Sequence, residues 1–395
     1  MLSRIRSVQR FLFGAPVVRK NAMSKSSACK SLVLCVPGLV ALSGLAGCYG
    51  NNVTYIPGQP LVNDALWVTN GANVLEFLPS QLTDGTSDPT PHFTLTSSVF
   101  GAPQGVTFDG NGDLWVIDGG TVASGGTVAP AVYEFTAKQL SELGTTSAPT
   151  PAVTISSTSF TYPQQATFDA RGNLWVSDHG SNAVYVFTGK QLSATATTAV
   201  PAVTITSSTA FSGPLGIAFD YKGDLFVANN TASTIFEFGA SSLPAVSPTS
   251  TSTSTTVLTP TVTLSNDGSG SIESPWALAT DGNGDLWASN AGASSTVVEF
   301  ARSQIAATGD PTPNITLASA TVSSDATLVA PHGIGFDAYG DLAADSSASP
   351  FGIAGFGPGQ LLKNPTSAPT PDVFLVGSGT TLSAPAGVTF GPAFE

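Results

Sequence analysis

The residues of this 395-residue chain that could do chemistry fall into recurring sets. Asp109-Gly110-Asn111-Gly112-Asp113 and Asp281-Gly282-Asn283-Gly284-Asp285 place side-chain oxygens at alternate positions, as the start of a calcium loop does. A complete loop needs further ligands ending in a bidentate acid, yet Leu114-Trp115-Val116 follows at once, and matching segments read DARGN and DYKGD. Asp, Asn and Gly make tight turns readily, so these are read as turns, with no metal or other cofactor expected. A second set directly follows a recurrent proline: Gln104, Gln164, Leu215, Trp276, His332 and Ala386. It varies where its surroundings repeat, and two amides, an indole and an imidazole could line a polar and aromatic pocket. A third set, Asn70, Asp118, Asp178, Asn229, Asn290 and Asp345, closes an apolar run each time. It could form a polar ring or simply cap turns, which Asx residues at strand ends often do. Acid–base catalysis would require His332 with Asp118 or Asp178; His92 and His179 stand in unrelated contexts.

The elements that must position these residues are repeats. Proline, two residues, an apolar pair ending in Phe-Asp, a glycine turn and Asp-Leu-Trp-Val recur as PQGVTFDGNGDLWVID from Pro103, PQQATFDARGNLWVSD from Pro163, PLGIAFDYKGDLFVAN from Pro214, PWALATDGNGDLWASN from Pro275 and PHGIGFDAYGDLAAD from Pro331. A sixth copy is split: DALWVTN, from Asp64, opens the series and PAGVTFG, from Pro385, ends it. A ring in which the last segment supplies the missing strand of the first unit explains the split, because closure leaves no unpaired sheet edge at the seam. Period-two alternation in one unit predicts strands at 105–108, 114–117, 132–136 and 152–155. The expected fold is therefore all-β, a six-bladed propeller of four-stranded blades over residues 64–395, closed by its C-terminal strand. Trp67, Trp115, Trp175, Phe226 and Trp287 fall mid-strand and are expected in the core. The sixth unit, with Ala343 at that position, should be the least regular. The segment 243–260, rich in Ser, Thr and Pro, is expected to be a flexible outer loop.

The repeat resembles the NHL-type propeller repeat, which implies the architecture but not an activity, since such propellers serve as enzymes, docking platforms and ligand binders. Gluconolactonase-type propellers are similar and place metal-binding Asn and Asp after the corresponding proline, alongside a Glu; none stands there in this chain, which disfavours a metal-dependent lactonase. Streptogramin-lyase propellers are similar too, with seven blades and His and Glu on this face; only Pro331-His332-Gly333 matches, and no acid–base pair is visible.

Charge divides the chain. Residues 1–47 carry seven Lys or Arg and no acid, leaving six of the 13 basic residues against all 26 acidic ones, a net of −20. So acidic a domain should repel nucleic acid and anionic lipid. From Met23, which could be the true start, two lysines precede an apolar stretch from Leu32 to Ala46, shorter than the roughly 20 residues of a spanning helix and broken by Pro37 and Gly38. Leu45-Ala46-Gly47-Cys48 resembles the lipobox of bacterial lipoproteins, which implies cleavage after residue 47, acylation of Cys48 and a linker over 48–63. Tyr49 at the next position points to the outer rather than the inner membrane in the enterobacterial sorting pattern. The expected protein is a binding or interaction module anchored in the envelope by lipid, holding a protein, glycan or small ligand at the channel mouth. The alternatives are a lyase or hydrolase using His332, and a structural surface protein without a pocket.

Overall fold

The computed structural model describes residues 64–394 apart from 124–125, 143, 145, 323–324 and 362–368; the leader and Cys48 lie outside the described residues. Six blades form a closed β-propeller. In the second blade the strands run, inside to outside, Pro103–Phe108, Leu114–Asp118, Ala131–Phe135 and Val153–Ser156, within two residues of the expected bounds. The third, fourth and fifth blades repeat this order from Pro163–Phe168, Pro214–Phe219 and Pro275–Thr280.

The seam is closed as the split repeat requires. Pro385–Pro392 is the innermost strand of the first blade and pairs antiparallel with Asp64–Asn70 in a register running from Asp64↔Pro392 to Asn70↔Pro385. The sixth blade is the irregular one, its inner strand reduced to Ile334–Phe336.

Six hydrophobic cores lie between successive blades. The aromatic position dominates them: Trp67, Trp115, Trp175 and Trp287 are at most 2% exposed. Each lies edge-on to a phenylalanine on the inner strand of the next blade, Trp67 on Phe108 (5.7 Å), Trp115 on Phe168 (5.9 Å), Trp175 on Phe219 (5.3 Å) and Trp287 on Phe336 (5.6 Å). This pairing accounts for the recurrence of both Phe-Asp and Leu-Trp, because edge-to-face aromatics add to the burial of two large rings. The indole N–H of Trp115, Trp175 and Trp287 donates to Oδ2 of the Asp opening its own hairpin turn, Asp109, Asp169 and Asp281. The same carboxylate accepts turn N–H groups through Oδ1, as from Asn111 and Asp113 in the second blade.

The linkers hold more structure than their composition suggests. Within 243–260, Ser254–Leu258 is a strand added parallel to Val203–Ser207, the outer strand of the third blade, rather than part of a flexible loop. Thr146–Ser147 and Gly85–Ser87 do the same for the first and sixth blades, and Ala196 and Gly309 make single parallel bridges to the second and fourth. Five linkers thus lash their own blade to the outer edge of the preceding one, which covers an otherwise open sheet edge. A recurrent glutamine holds the linker base. In the second blade, Gln139 caps a helical turn by accepting the Thr136 N–H at Oε1 (3.0 Å) and donates through Nε2 to Thr150 O (3.0 Å). Gln81, Gln191, Gln304 and Gln360 likewise donate to linker carbonyls.

Candidate functional site

Five of the six inner strands start at a proline, and inner strands of neighbouring blades approach closely there. A Cβ on Gly105 would lie 2.5 Å from Gln164 O, and one on Gly387 would lie 2.6 Å from Gln104 O. Only glycine permits that approach, so the ring is tight one residue inside the position that follows the proline.

At that position the structure brings four of the six residues to one recess. Gln104, Trp276, His332 and Ala386 line a cavity of about 400 Å³ at the channel mouth, with Tyr162, Ser347 and backbone around Gly71, Gly101 and Ala384. Trp276 and His332, from adjacent blades, stack face to face, with ring centroids 3.5 Å apart and planes 4° from parallel. Burial pushes the His332 imidazole down to about 4, so the ring is neutral at pH 7. Gln164 and Leu215 are instead buried, at 1% and 2% exposure, and do not line the recess.

Tyr162 was not singled out by sequence reasoning. It precedes the recurrent proline, where the other blades carry Ala102, Gly213, Ser274, Ala330 and Ala384; its size among small residues is the signal that could have found it.

The Asn and Asp set is buried at 3% exposure or less and is committed to the backbone. Asp118 accepts from the N–H groups of Gly101 (2.8 Å), Ala102 (3.0 Å) and Gly120 (2.7 Å). Asp178 accepts from Thr161, Tyr162 and Ser181, and Asn70 from Ser383 and Ala384. Asn229 accepts from Ser212, Asn290 from Glu273, and Asp345 from His332 and Gly333. These side chains tie the end of each second strand to the segment entering the first, so they shape the mouth from behind. Burial raises Asp118 and pushes Asp345 up to about 7, against the opposing pull of those backbone bonds.

A hydroxyl one residue earlier adds a stitch between alternate blades. Thr69 donates to Gln104 O (3.1 Å), Ser177 to Leu215 O and Ser289 to His332 O (2.7 Å), each time across to the residue after the recurrent proline of the next blade.

The catalytic alternative needs a carboxylate facing His332, and the lining of the recess includes neither Asp118 nor Asp178. Asp345, the carboxylate bonded to His332, meets its backbone N–H rather than its ring. His92 Nε2 contacts Phe394 O at 3.1 Å, and His179 lies edge-on to Tyr162 at 6.3 Å. Asp109, Asp113 and Glu134 do converge, with one oxygen of each within 4.8 Å of the others. Two of the three are occupied by the fold: Asp109 by its turn and Trp115, and Asp113 by the N–H of Ala137 (2.7 Å). Burial, then Asp113 and Asp109, push Glu134 up to about 7.

No protein-family profile matches the sequence, and no curated protein does. Among solved structures, the chain is similar to one from a nidogen/laminin complex, 11% identical with a TM-score of 0.53, over 84% of this chain and 99% of that one. It is similar to a 6-phosphogluconolactonase-like propeller from Bacteroides fragilis, 11% identical with a TM-score of 0.50, over 83% and 98%. It also resembles virginiamycin B lyase from Staphylococcus aureus, 14% identical with a TM-score of 0.39, over 69% and 73%. At these identities the likeness is one of fold.

Proposed function

We propose that this propeller is a non-enzymatic binding module of the bacterial envelope, and that its channel mouth takes a neutral, ring-bearing ligand such as a sugar unit of a glycan. The propeller fold is consistent with a binding or interaction module. The observation that carries the finer reading is the chemistry of the recess. In a domain whose net charge is near −20 by sequence, the mouth is lined by an indole, a neutral imidazole, an amide, a phenol and a hydroxyl, with no Asp, Glu, Lys or Arg among the described residues. Its size is within the range of small-ligand sites, and a flat aromatic surface edged by hydrogen-bonding groups suits the apolar face and hydroxyl rim of a pyranose.

Anchoring through Cys48 and an NHL-type origin of the repeat belong to the same reading; they rest on the sequence segments described above. The test is calorimetric titration of the protein with a panel of neutral and anionic oligosaccharides. A neutral member should bind, and Trp276→Ala should weaken it by about tenfold or more, the scale of a lost aromatic anchor. If no neutral glycan binds, or Trp276→Ala binds as the parent does, the reading fails. For anchoring, labelled fatty acid should enter the chain in bacterial cells and be lost in Cys48→Ala; label retained by that variant overturns it.

A further inference from the structure

The sixth blade lacks three groups that most other blades use, and the losses cluster at one recess. Ala343 stands where four blades carry tryptophan, and its cross-strand partner is Gly355, where Glu76, Glu134, Glu237 and Glu299 stand in others. Pro358 stands where Ala137, Ala240 and Arg302 donate their N–H to the Asp that closes the hairpin turn, Asp113, Asp224 and Asp285. Two acceptors are orphaned as a result. Asp337 Oδ2 corresponds to the oxygen that takes the indole N–H in the second, third and fifth blades, and it has no hydrogen-bond partner among the described residues although Asp337 is only 6% exposed. Asp341 Oδ1, deprived of its N–H by Pro358, has none either.

Between the sixth and first blades these losses leave an open-mouthed recess of about 60 Å³. Its apolar wall includes Leu66, Ile353, Phe356 and Phe390, and its rim includes Asp84, Asp341 and Asp372. Phe390 occupies the place of Phe108, Phe168, Phe219 and Phe336, the rings against which the other tryptophans lie edge-on. Burial, reinforced by Asp337, Asp372 and Asp84, pushes Asp341 up to about 7, and no described ion pair neutralises any of the four. A cation brought to this cluster would gain from all of them.

We propose that this open recess binds a small aromatic amine, the edge of its ring entering against Phe390 beside Ala343, its ammonium group on Asp341 at the rim and its ring N–H directed towards Asp337, as the indole N–H is towards the matching Asp in the second, third and fifth blades. The ring supplies the edge-to-face contact, a ring N–H takes the orphaned Asp337 oxygen, and an ammonium group meets the acidic rim. Tryptamine carries all three features. Indole lacks the cation, and indole-3-acetate puts a carboxylate against the rim.

The test is calorimetric titration of the full chain with these three compounds, in a Trp276→Ala background so that stacking at the channel mouth contributes nothing. Tryptamine should bind one per chain at or below about 1 mM, and indole about tenfold more weakly. Indole-3-acetate should not bind measurably. Ala343→Trp should abolish tryptamine binding while melting no lower than its parent, because the introduced indole fills the recess. Asp337→Asn, which keeps the turn acceptor at Oδ1, should weaken binding by about tenfold or more and decides the matter if Ala343→Trp does not fold. No saturable tryptamine binding, undiminished binding in a folded Ala343→Trp or in Asp337→Asn, or acetate binding equal to the amine would overturn the proposal. Failure of the glycan reading at the mouth leaves each of these outcomes unchanged.

Discussion

Replacing Trp175 separates the packing and hydrogen-bonding parts of the interblade contact. Its ring is 2% exposed, edge-on to Phe219 at 5.3 Å, and donates to Asp169 Oδ2 at 3.1 Å. Trp175→Phe keeps an aromatic in the place that Phe226 fills in the fourth blade, and Asp169 Oδ2 retains the Asn173 amide at 2.8 Å. The loss is then one hydrogen bond to a charged acceptor plus a small volume, about 1.5–3 kcal/mol. Trp175→Ala removes the ring from a core shared by two blades and should cost about 3–5 kcal/mol, a large fraction of the roughly 5–15 kcal/mol that holds a domain folded. Urea unfolding followed by far-ultraviolet circular dichroism reads both costs, with an unchanged slope confirming that the transition stays cooperative. A Trp175→Ala cost within about 1 kcal/mol of zero would refute the view that these aromatics bind blade to blade. Equal costs for the two variants would refute the division between ring and hydrogen bond.

Ending the chain before Pro385 removes the inner strand of the first blade, exposes Leu66 and Val68 and strips Trp67 of its Pro392 acceptor; thermal melting should drop sharply, and an unchanged melt would contradict closure at the seam. Ser289→Ala leaves the half-buried His332 carbonyl without its hydroxyl donor and should cost about 1 kcal/mol in urea unfolding, whereas Ala344→Ser, at the position of the sixth blade that lacks the stitch, should not restore it. Asp337, Asp341 and Asp345 are pushed up to about 6, 7 and 7. Each holds its proton more tightly folded than unfolded, so their contribution to stability is full below the unfolded carboxylate range and is lost as pH rises from about 4 to about 7. Asp345→Asn, the residue type of three other blades, should flatten that decline; a decline as steep as the parent's in urea midpoints across this window would show that Asp345 does not contribute to it.

The repeat determined the ring on its own. Six copies of one period-two pattern, with one split across the two ends, leave little choice but a closed propeller, because strand alternation and edge pairing are local rules that a sequence displays directly. The position after the proline stood out for the same reason, being variable inside a constant frame. What the tertiary structure decided is everything that depends on which neighbour a side chain meets. Asn70, Asp118 and their counterparts read equally as a polar ring or as turn caps until their oxygens were seen against specific backbone N–H groups. Gln164 and Leu215 share the sequence position of Trp276 and His332 but are buried, and Tyr162 from the preceding position takes part instead. The Ser- and Thr-rich linkers gave no periodic signal, because a single strand added to the edge of another blade needs only backbone groups. The oxygens left without partners in the sixth blade follow from substitutions far apart in sequence, and only folding brings Asp341, Ala343, Gly355 and Phe390 around one space.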